Sequence, residues 1–488
     1  MALARATRGL SAIVVLLLFY SLLGLPAEAD AASAPVVRRG SGDQPRIALT
    51  FDDNFYEQRA LAILDTLRRY DTPATVFVVG YYVNVHPRIT SALLRGRFEV
   101  ADHSLSHMNV AAVGWSLARR EIGGGSAAYR SATGARTVPF FRPPYGATNS
   151  TVAQIAGEKG FLYQILWDVD TNDWRGYSAA TIRDHVLRNA RSGSIVLMHL
   201  SAPHTAEALP GIITGLRARG YELTTVAGVL KGNRRFFDVS EGDEAGRAIL
   251  QLVGAGILAG YNADWFGPLD PMTRAQFAKV AVGSAGLHTA VVEPAAVNFV
   301  DVSPVRDASG AITAYPYDYV QEAVASGLVQ GSEDAAGRPV YRPRESITRL
   351  QLAQVVARMA RNLKGYAPVP VVAGNPPFLD VPDYGLADAA LVRQLGLMHG
   401  YTGDVFQPYV PARRAHVAMV MTRYRALADA PTTTTTLAPT TTTTEPPSTT
   451  TTSVSPTTTS PVPTTTTAVA VPTTTTTNIT ASSAATAF

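Results

Sequence analysis

The sequence predicts an α/β domain of parallel strands with crossover helices, then an α-rich unit of three repeats, then a disordered tail. Three observations lead there. Short apolar runs alternate with amphipathic stretches across residues 44–230, start and closing segments recur three times across 236–427, and residues 431–488 are mostly Thr and Pro with one charge, Glu445. A chain of 488 residues, 46% hydrophobic and 16% charged, is long enough for several domains with cores of their own.

The first 29 residues carry Arg5 and Arg8, an apolar stretch, and Ala27, Glu28 and Ala29. This is the layout of a secretory signal cleaved after Ala29. The apolar run is short and Pro26 follows it, so the mature chain is expected to hold no membrane span. Residues 30–43 read as a linker. Losing Arg5, Arg8 and Glu28 takes the formal charge from +4 to +3, too mild to argue for nucleic acid but suited to an anionic wall surface. There is no cysteine, so disulfides, thiolate metal sites and cysteine nucleophiles are excluded, and any metal must use His and carboxylate.

The runs of the first domain are "RIALTF", "ATVFVVG", "RFEVADHS", "VPFFRPP", "FLYQILWDVD", "GSIVLMH" and "YELTTV", with helical spacing in "QRALAILDTLRRY" and "AATIRDHVLRNARS" between them. In parallel α/β folds chemistry collects where strands end. The first run ends on Asp52 and Asp53, the third on His103 and His107, the fourth on Arg142 with Tyr145, the fifth on Asp168 to Trp174, and the sixth on His199. Adjacent carboxylates repel, so Asp52 and Asp53 need a cation, a proton or a function. "HSLSH" sets two imidazoles on one face of a helical turn. With a carboxylate from another strand end they make a three-ligand site with open positions, the form of a catalytic metal. One aspartate then binds the metal and the other is a base toward water. Arg142 would hold that base ionised, and His199, oriented by Asp173, would protonate a departing amine. Each residue also has a plain structural reading: an ion pair for Arg142, a core histidine for His199, packing for Trp174. Their collection at one rim favours the catalytic reading.

"TFDD", "HSLSH", "RPPY", "DTNDW" and "LMH" follow the order and approximate spacing of the five motifs of the polysaccharide deacetylases, or NodB-homology domains, which residues 44–230 resemble. The resemblance implies a distorted (β/α) barrel and metal-dependent removal of acetyl groups from N-acetylated sugars. It implies Asp52 as general base, Asp53, His103 and His107 as metal ligands, and Arg142 as the group that orients the base. The backbone N–H of Tyr145 becomes an oxyanion donor and His199 the general acid tuned by Asp173, with Trp174 and Leu197 as walls of the acetyl pocket. The ligand set suits zinc and also cobalt, nickel or manganese. Asn54 stands where many members have Gly, and Leu200 where many have Asp; both bear on substrate shape more than on reaction type.

In the second region "FFDV", "FVDV" and "FLDV" recur at Phe236, Phe299 and Phe378, defining repeats at 236–286, 298–363 and 378–427. The closing helices share apolar stripes: Phe277, Val280 and Ala281; Leu352, Val355 and Val356; Val417, Val420 and Met421. One unit can hardly bury such a stripe alone, so the three should pack together. Arg274, Arg349 and Arg414 open these helices, behind N-cap candidates Thr273 and Thr348 but Arg413 in the third. A cation there opposes the helix dipole, so each arginine either offers its guanidinium to an anion or packs over a neighbouring repeat. The repeats resemble S-layer homology domains. That implies a unit binding an acidic secondary cell-wall polymer, with these arginines as candidate ligands. The tail is a candidate for glycosylation.

The expectation is an exported, wall-tethered, metal-dependent polysaccharide N-deacetylase acting on peptidoglycan or a chitin-like glycan. The alternatives are a wall-binding protein with an inactive sugar-holding barrel, and a hydrolase of a non-sugar amide or O-acetyl ester.

Overall fold

Strands buried on both faces read as unbroken apolar runs, and those runs build the first domain. The computed structural model of the protein describes residues 33–96, 98–287, 299–306, 312–371 and 376–429. The expected signal at 1–29 and the expected disordered tail at 431–488 lie outside the described residues.

Nine strands form one sheet: β1 (Val36–Val37), β2 (Arg46–Asp52), β3 (Ala74–Val78), β4 (Phe98–Asp102), β5 (Phe140–Phe141), β6 (Tyr163–Ile165), β7 (Val169–Asp170), β8 (Ile195–His199) and β9 (Glu222–Thr224). Their order is β1-β6-β5-β4-β3-β2-β8-β7, with β9 added beside β2, and every pairing is parallel. Among the described residues no pairing joins β7 to β1, so the expected distorted barrel is an open half-barrel.

Helices cross over between the strands. In chain order they are α1 (Glu57–Arg69), α2 (Gly80–Val85), α3 (Pro87–Arg95), α4 (Trp115–Glu121), α5 (Gly124–Thr133), α6 (Ser150–Glu158), α7 (Ala179–Asn189), α8 (Thr205–Ala218) and α9 (Val226–Lys231). Ala60, Ile63, Leu64 and Leu67 of α1 form a stripe at helical spacing and join the cluster containing Ile47, Leu49 and Phe51 of β2. Full burial stabilises each of the Ile and Leu side chains by roughly 1.5–3 kcal/mol. The alternate residues of β2 face the other way: Ala48 lies in the inner cluster with Phe77, Phe140 and Ile165. Period-two alternation therefore sends Thr50 and Asp52 inward as well.

Two expectations change here. The presumed linker at 30–43 contributes β1, paired with β6, and Ala34 is buried with its N–H donating to the Ala153 carbonyl. Two apolar residues are too few to show a period. The fifth run divides into β6 and β7, and Asp168 accepts from Ser194 Oγ and the Ile195 N–H where β8 begins, at the end opposite His199.

The three repeats share one core, in which all nine stripe residues are buried together with Phe236, Phe299 and Phe378. Its helices are α10 (Glu244–Gly254), α11 (Arg274–Ser284), α12 (Tyr317–Ala325), α13 (Arg349–Lys364), α14 (Asp383–Gln394) and α15 (Arg414–Ala426). The Phe-x-Asp-Val signal has a specific use. Asp238 accepts from the N–H groups of Phe266 and Gly267, Asp301 from Tyr341 and Arg342, and Asp380 from Phe406 and Gln407. The units also close into a ring, since the N–H groups of Met272, Ala412 and Ile347 donate to Ala412, Ile347 and Met272 respectively.

All three arginines make the packing contacts of the second alternative. Arg274 donates to the carbonyls of Tyr341 and Gln330, Arg349 to those of Phe406 and His399, and Arg414 to those of Phe266 and Ala259. Each guanidinium thus holds the next unit, and the helix-start N–H groups behind the anion argument donate to carbonyls of that unit too. Thr273 and Thr348 cap their helices through boxes with Gln276 and Gln351, whereas Arg413 supplies no side-chain cap. "SEDAAGRPV" forms a small hairpin, Ser332–Glu333 against Pro339–Val340. No helix among the described residues is long and apolar enough to cross a membrane.

Candidate active site

Four strand ends and two turns bring the predicted rim together. Asp52 ends β2 directly beside His199, which ends the neighbouring β8. Asp53 would point to the opposite face if the strand continued. A left-handed backbone (φ 63°) turns it back, so both carboxylates enter one cleft. Of eight described non-glycine residues with positive φ, Asp53, His107, Tyr145 and Asn172 line this cleft. Such strain persists where the surrounding structure imposes it, commonly at functional sites.

Arg142 is fully buried and its fork organises the centre. Nη1 donates to Asp52 Oδ1 at 2.8 Å and Thr50 Oγ1 at 2.9 Å, while Nε and Nη2 donate to the carbonyls of Ile165 and Leu166. Its guanidinium carbon lies 3.9 Å from the Phe77 ring centroid. Burial opposes the Asp52 charge, yet Arg142, then His103 and His199, hold this carboxyl below the usual range. Asp52 is therefore ionised at neutral pH.

The histidines converge, though not by helical spacing. Residues 103–107 form an irregular turn with positive φ at Ser104 and His107, which sets the two rings 5.0 Å apart. His103 Nδ1 lies 2.7 Å from the Arg142 carbonyl oxygen. That oxygen only accepts, so Nδ1 donates to it, and Nε2 is the ring nitrogen turned toward Asp53. His103 Nε2 is 3.7 Å and His107 Nε2 3.3 Å from Asp53 Oδ1. Burial, then the neighbouring His103, lowers His107 to about 4, which leaves its ring neutral.

The donors fit a divalent cation. Asp53 Oδ1 is buried without a hydrogen-bond partner, and the ligand atoms of Asp53, His103 and His107 all lie within 4.8 Å of one another. A buried carboxylate oxygen left without a hydrogen-bond partner beside two imidazoles is costly without a cation between them. Without one, burial, opposed by His103 but reinforced by Asp52, raises Asp53 to about 6.

His199 stands opposite, its Nδ1 donating to Asp173 Oδ1 at 2.7 Å. Asp173 Oδ2 also accepts from the His199 N–H at 2.9 Å and from Thr205 Oγ1 at 2.5 Å. Burial opposes a charged ring, but the bond to Asp173 and its charge prevail and raise His199 to about 9. Tyr145, Trp174 and Leu197 line the same cleft, of about 480 Å³, with Tyr145 and Trp174 exposed and Leu197 buried.

The expected site residues of the barrel therefore lie around one cleft. Three supporting residues escaped sequence reasoning. Thr50 was legible, two residues before Asp52 on one strand face. Asp102 accepts from the N–H groups of Ser104, Gly123 and Ser126, fixing the histidine turn; a carboxylate closing an apolar run was its only signal. Thr205, fully buried, reaches Asp173 from a different element, which no local pattern reports.

Comparison with known proteins finds matches to both regions of the chain. The polysaccharide deacetylase family model matches residues 39–163, and the S-layer homology domain model matches 235–278 and 311–353. The peptidoglycan-N-acetylglucosamine deacetylase PgdA of Listeria monocytogenes is 34% identical over 200 residues, 40% of this chain and 42% of the relative. A peptidoglycan-N-acetylglucosamine deacetylase of Bacillus cereus is 31% identical over 38% of this chain and 88% of its own length. A chitooligosaccharide deacetylase of Sinorhizobium fredii is 32% identical over 38% and 92%. The chain thus spans under half of PgdA but nearly all of the smaller relatives. With both carboxylates, both histidines and the buried arginine assembled, the chain belongs to the polysaccharide deacetylase family, with S-layer homology domains following that domain.

Proposed function

We propose that the protein is an exported, wall-tethered, metal-dependent N-deacetylase that releases acetate from N-acetylated glycans, peptidoglycan or a chitin-like oligomer. The observation that carries this is the different surroundings of the adjacent aspartates. Asp52 is ionised against Arg142, and Asp53 turns its unpartnered oxygen to His103 and His107. The named activities of the peptidoglycan and chitooligosaccharide deacetylases among its relatives support the substrate class.

A divalent cation held by Asp53, His103 and His107, zinc being our choice over cobalt, nickel or manganese, would supply Lewis acidity toward the acetamide carbonyl and water. Asp52 takes the proton of the attacking water, and Arg142 keeps that carboxylate oriented and charged. The Tyr145 backbone N–H donates to the oxyanion of the tetrahedral intermediate. His199, protonated against Asp173, gives its proton to the departing amine. Trp174 and Leu197 enclose the acetyl methyl.

The threefold unit is proposed to hold an acidic secondary wall polymer, placing the enzyme at the cell surface. Arg274 is the strongest candidate contact because it lines a cavity of about 230 Å³ with Arg342 and Arg358. Arg349 and Arg414 are buried in the joints between units. Acetate release from peptidoglycan and from N-acetylated chitooligomers, with matched appearance of primary amines, tests the reading; amines separate amide from ester hydrolysis.

A further inference from the structure

The metal-site turn continues outward into a row of aromatic rings, of which Phe55, Tyr82 and Tyr81 take no part in the chemistry above. Between ring centroids, Tyr145 is 4.8 Å from His107, His107 5.4 Å from Phe55, Phe55 4.8 Å from Tyr82, and Tyr82 5.0 Å from Tyr81. The ends of the row, Tyr145 and Tyr81, are 69% and 62% exposed, and the rings between are partly open. Singly exposed aromatics need no explanation; a continuous row that starts at the catalytic cleft does.

The row is fixed rather than draped. The N–H groups of Gly80 and Tyr81 donate to the carbonyls of Ser104 and Leu105, which ties the start of α2 to the histidine turn. Gly80 is needed for that approach, since a Cβ there would come within 2.6 Å of the Gly124 carbonyl oxygen. Asn54 Oδ1 accepts the Val79 N–H at 2.9 Å, a bond that a glycine at this position could not make. On the other flank His86 donates to the Phe55 carbonyl and stacks on Tyr82. Rings so held lose little freedom when a ligand covers them.

Sugar rings present apolar C–H faces edged by hydroxyls, and tyrosine presents an apolar face with a polar tip, so the two match. We propose that Phe55, Tyr81 and Tyr82 form a second sugar subsite, which holds the glycan strand beyond the residue being deacetylated and makes the enzyme favour longer oligomers. The inference rests on the deacetylase reading for its substrate class. It also gives Asn54 a use, as the residue that pins the platform.

The test is calorimetric binding of N-acetylated chitobiose and chitopentaose to the zinc-loaded full chain. The pentaose is expected to bind about tenfold more tightly. Tyr81→Ala should weaken pentaose binding about three- to tenfold, a clearly larger loss than on chitobiose, and Tyr81→Phe, which keeps the ring, should retain most of the affinity. Equal affinity for the two lengths, no binding of either, no effect of Tyr81→Ala, or the same loss on both would overturn the proposal. Acetate is measured in the same samples. Length-dependent, Tyr81-dependent binding without acetate would sink the deacetylase reading and leave the subsite standing.

Discussion

Arg142 Nη1 lies 2.8 Å from Asp52 Oδ1, with the guanidinium fully buried and the carboxylate almost so. A buried ion pair adds little net stability, but losing one partner strands the other. Arg142→Met should therefore lower unfolding stability by about 3–5 kcal/mol and abolish turnover, read by urea denaturation and acetate assay. Arg142→Lys should recover little, because a single ammonium cannot reach Asp52, Thr50 and two carbonyls together.

The paired aspartates should separate experimentally. Asp53→Asn and His107→Ala should lose bound metal and activity together, whereas Asp52→Asn keeps the metal and loses turnover by about a hundredfold or more. Metal content by emission spectroscopy beside acetate release reads both. Loss of metal in Asp52→Asn would show the roles to be wrongly divided.

His199 is raised to about 9, so its acid form is present at neutral pH and is lost as pH rises through that value. kcat/KM should fall on the alkaline side near pH 9. Asp173→Asn removes the charge that holds the proton, so this limb should move down toward the ordinary histidine range of about 6.5. An alkaline limb that stays in place in Asp173→Asn would rule out His199 as its source.

Arg414 joins the third repeat to the first through the carbonyls of Phe266 and Ala259. Arg414→Ala should cost about 1–3 kcal/mol for each orphaned carbonyl and lower the melting of the threefold unit. Scanning calorimetry of the full chain, with acetate release measured alongside, checks this; the activity of the barrel should be unchanged.

Much of this was legible because each motif closes an apolar run. Parallel strands place such ends on one rim, so Asp52, His103, Arg142 and His199 could be gathered from their positions in the chain alone. The repeated Phe-x-Asp-Val and the apolar stripes announced a shared core for the same reason: each unit repeats the same packing problem. What stayed hidden depends on backbone turns and contacts between elements. Left-handed geometry at Asp53 and His107, not helical spacing, joins the ligands. The two residues of β1 carry too little pattern to be read, and the carbonyls that receive Arg274, Arg349 and Arg414 belong to other repeats.

The central claim is tested most directly by incubating the zinc-loaded full chain and its Asp52→Asn variant with N-acetylated chitopentaose and peptidoglycan, then measuring acetate and new primary amines. Equal amounts of both products from the native chain, suppressed by chelator and absent from the variant, are the predicted result. Acetate without amines, or equal acetate from the variant, would contradict the account.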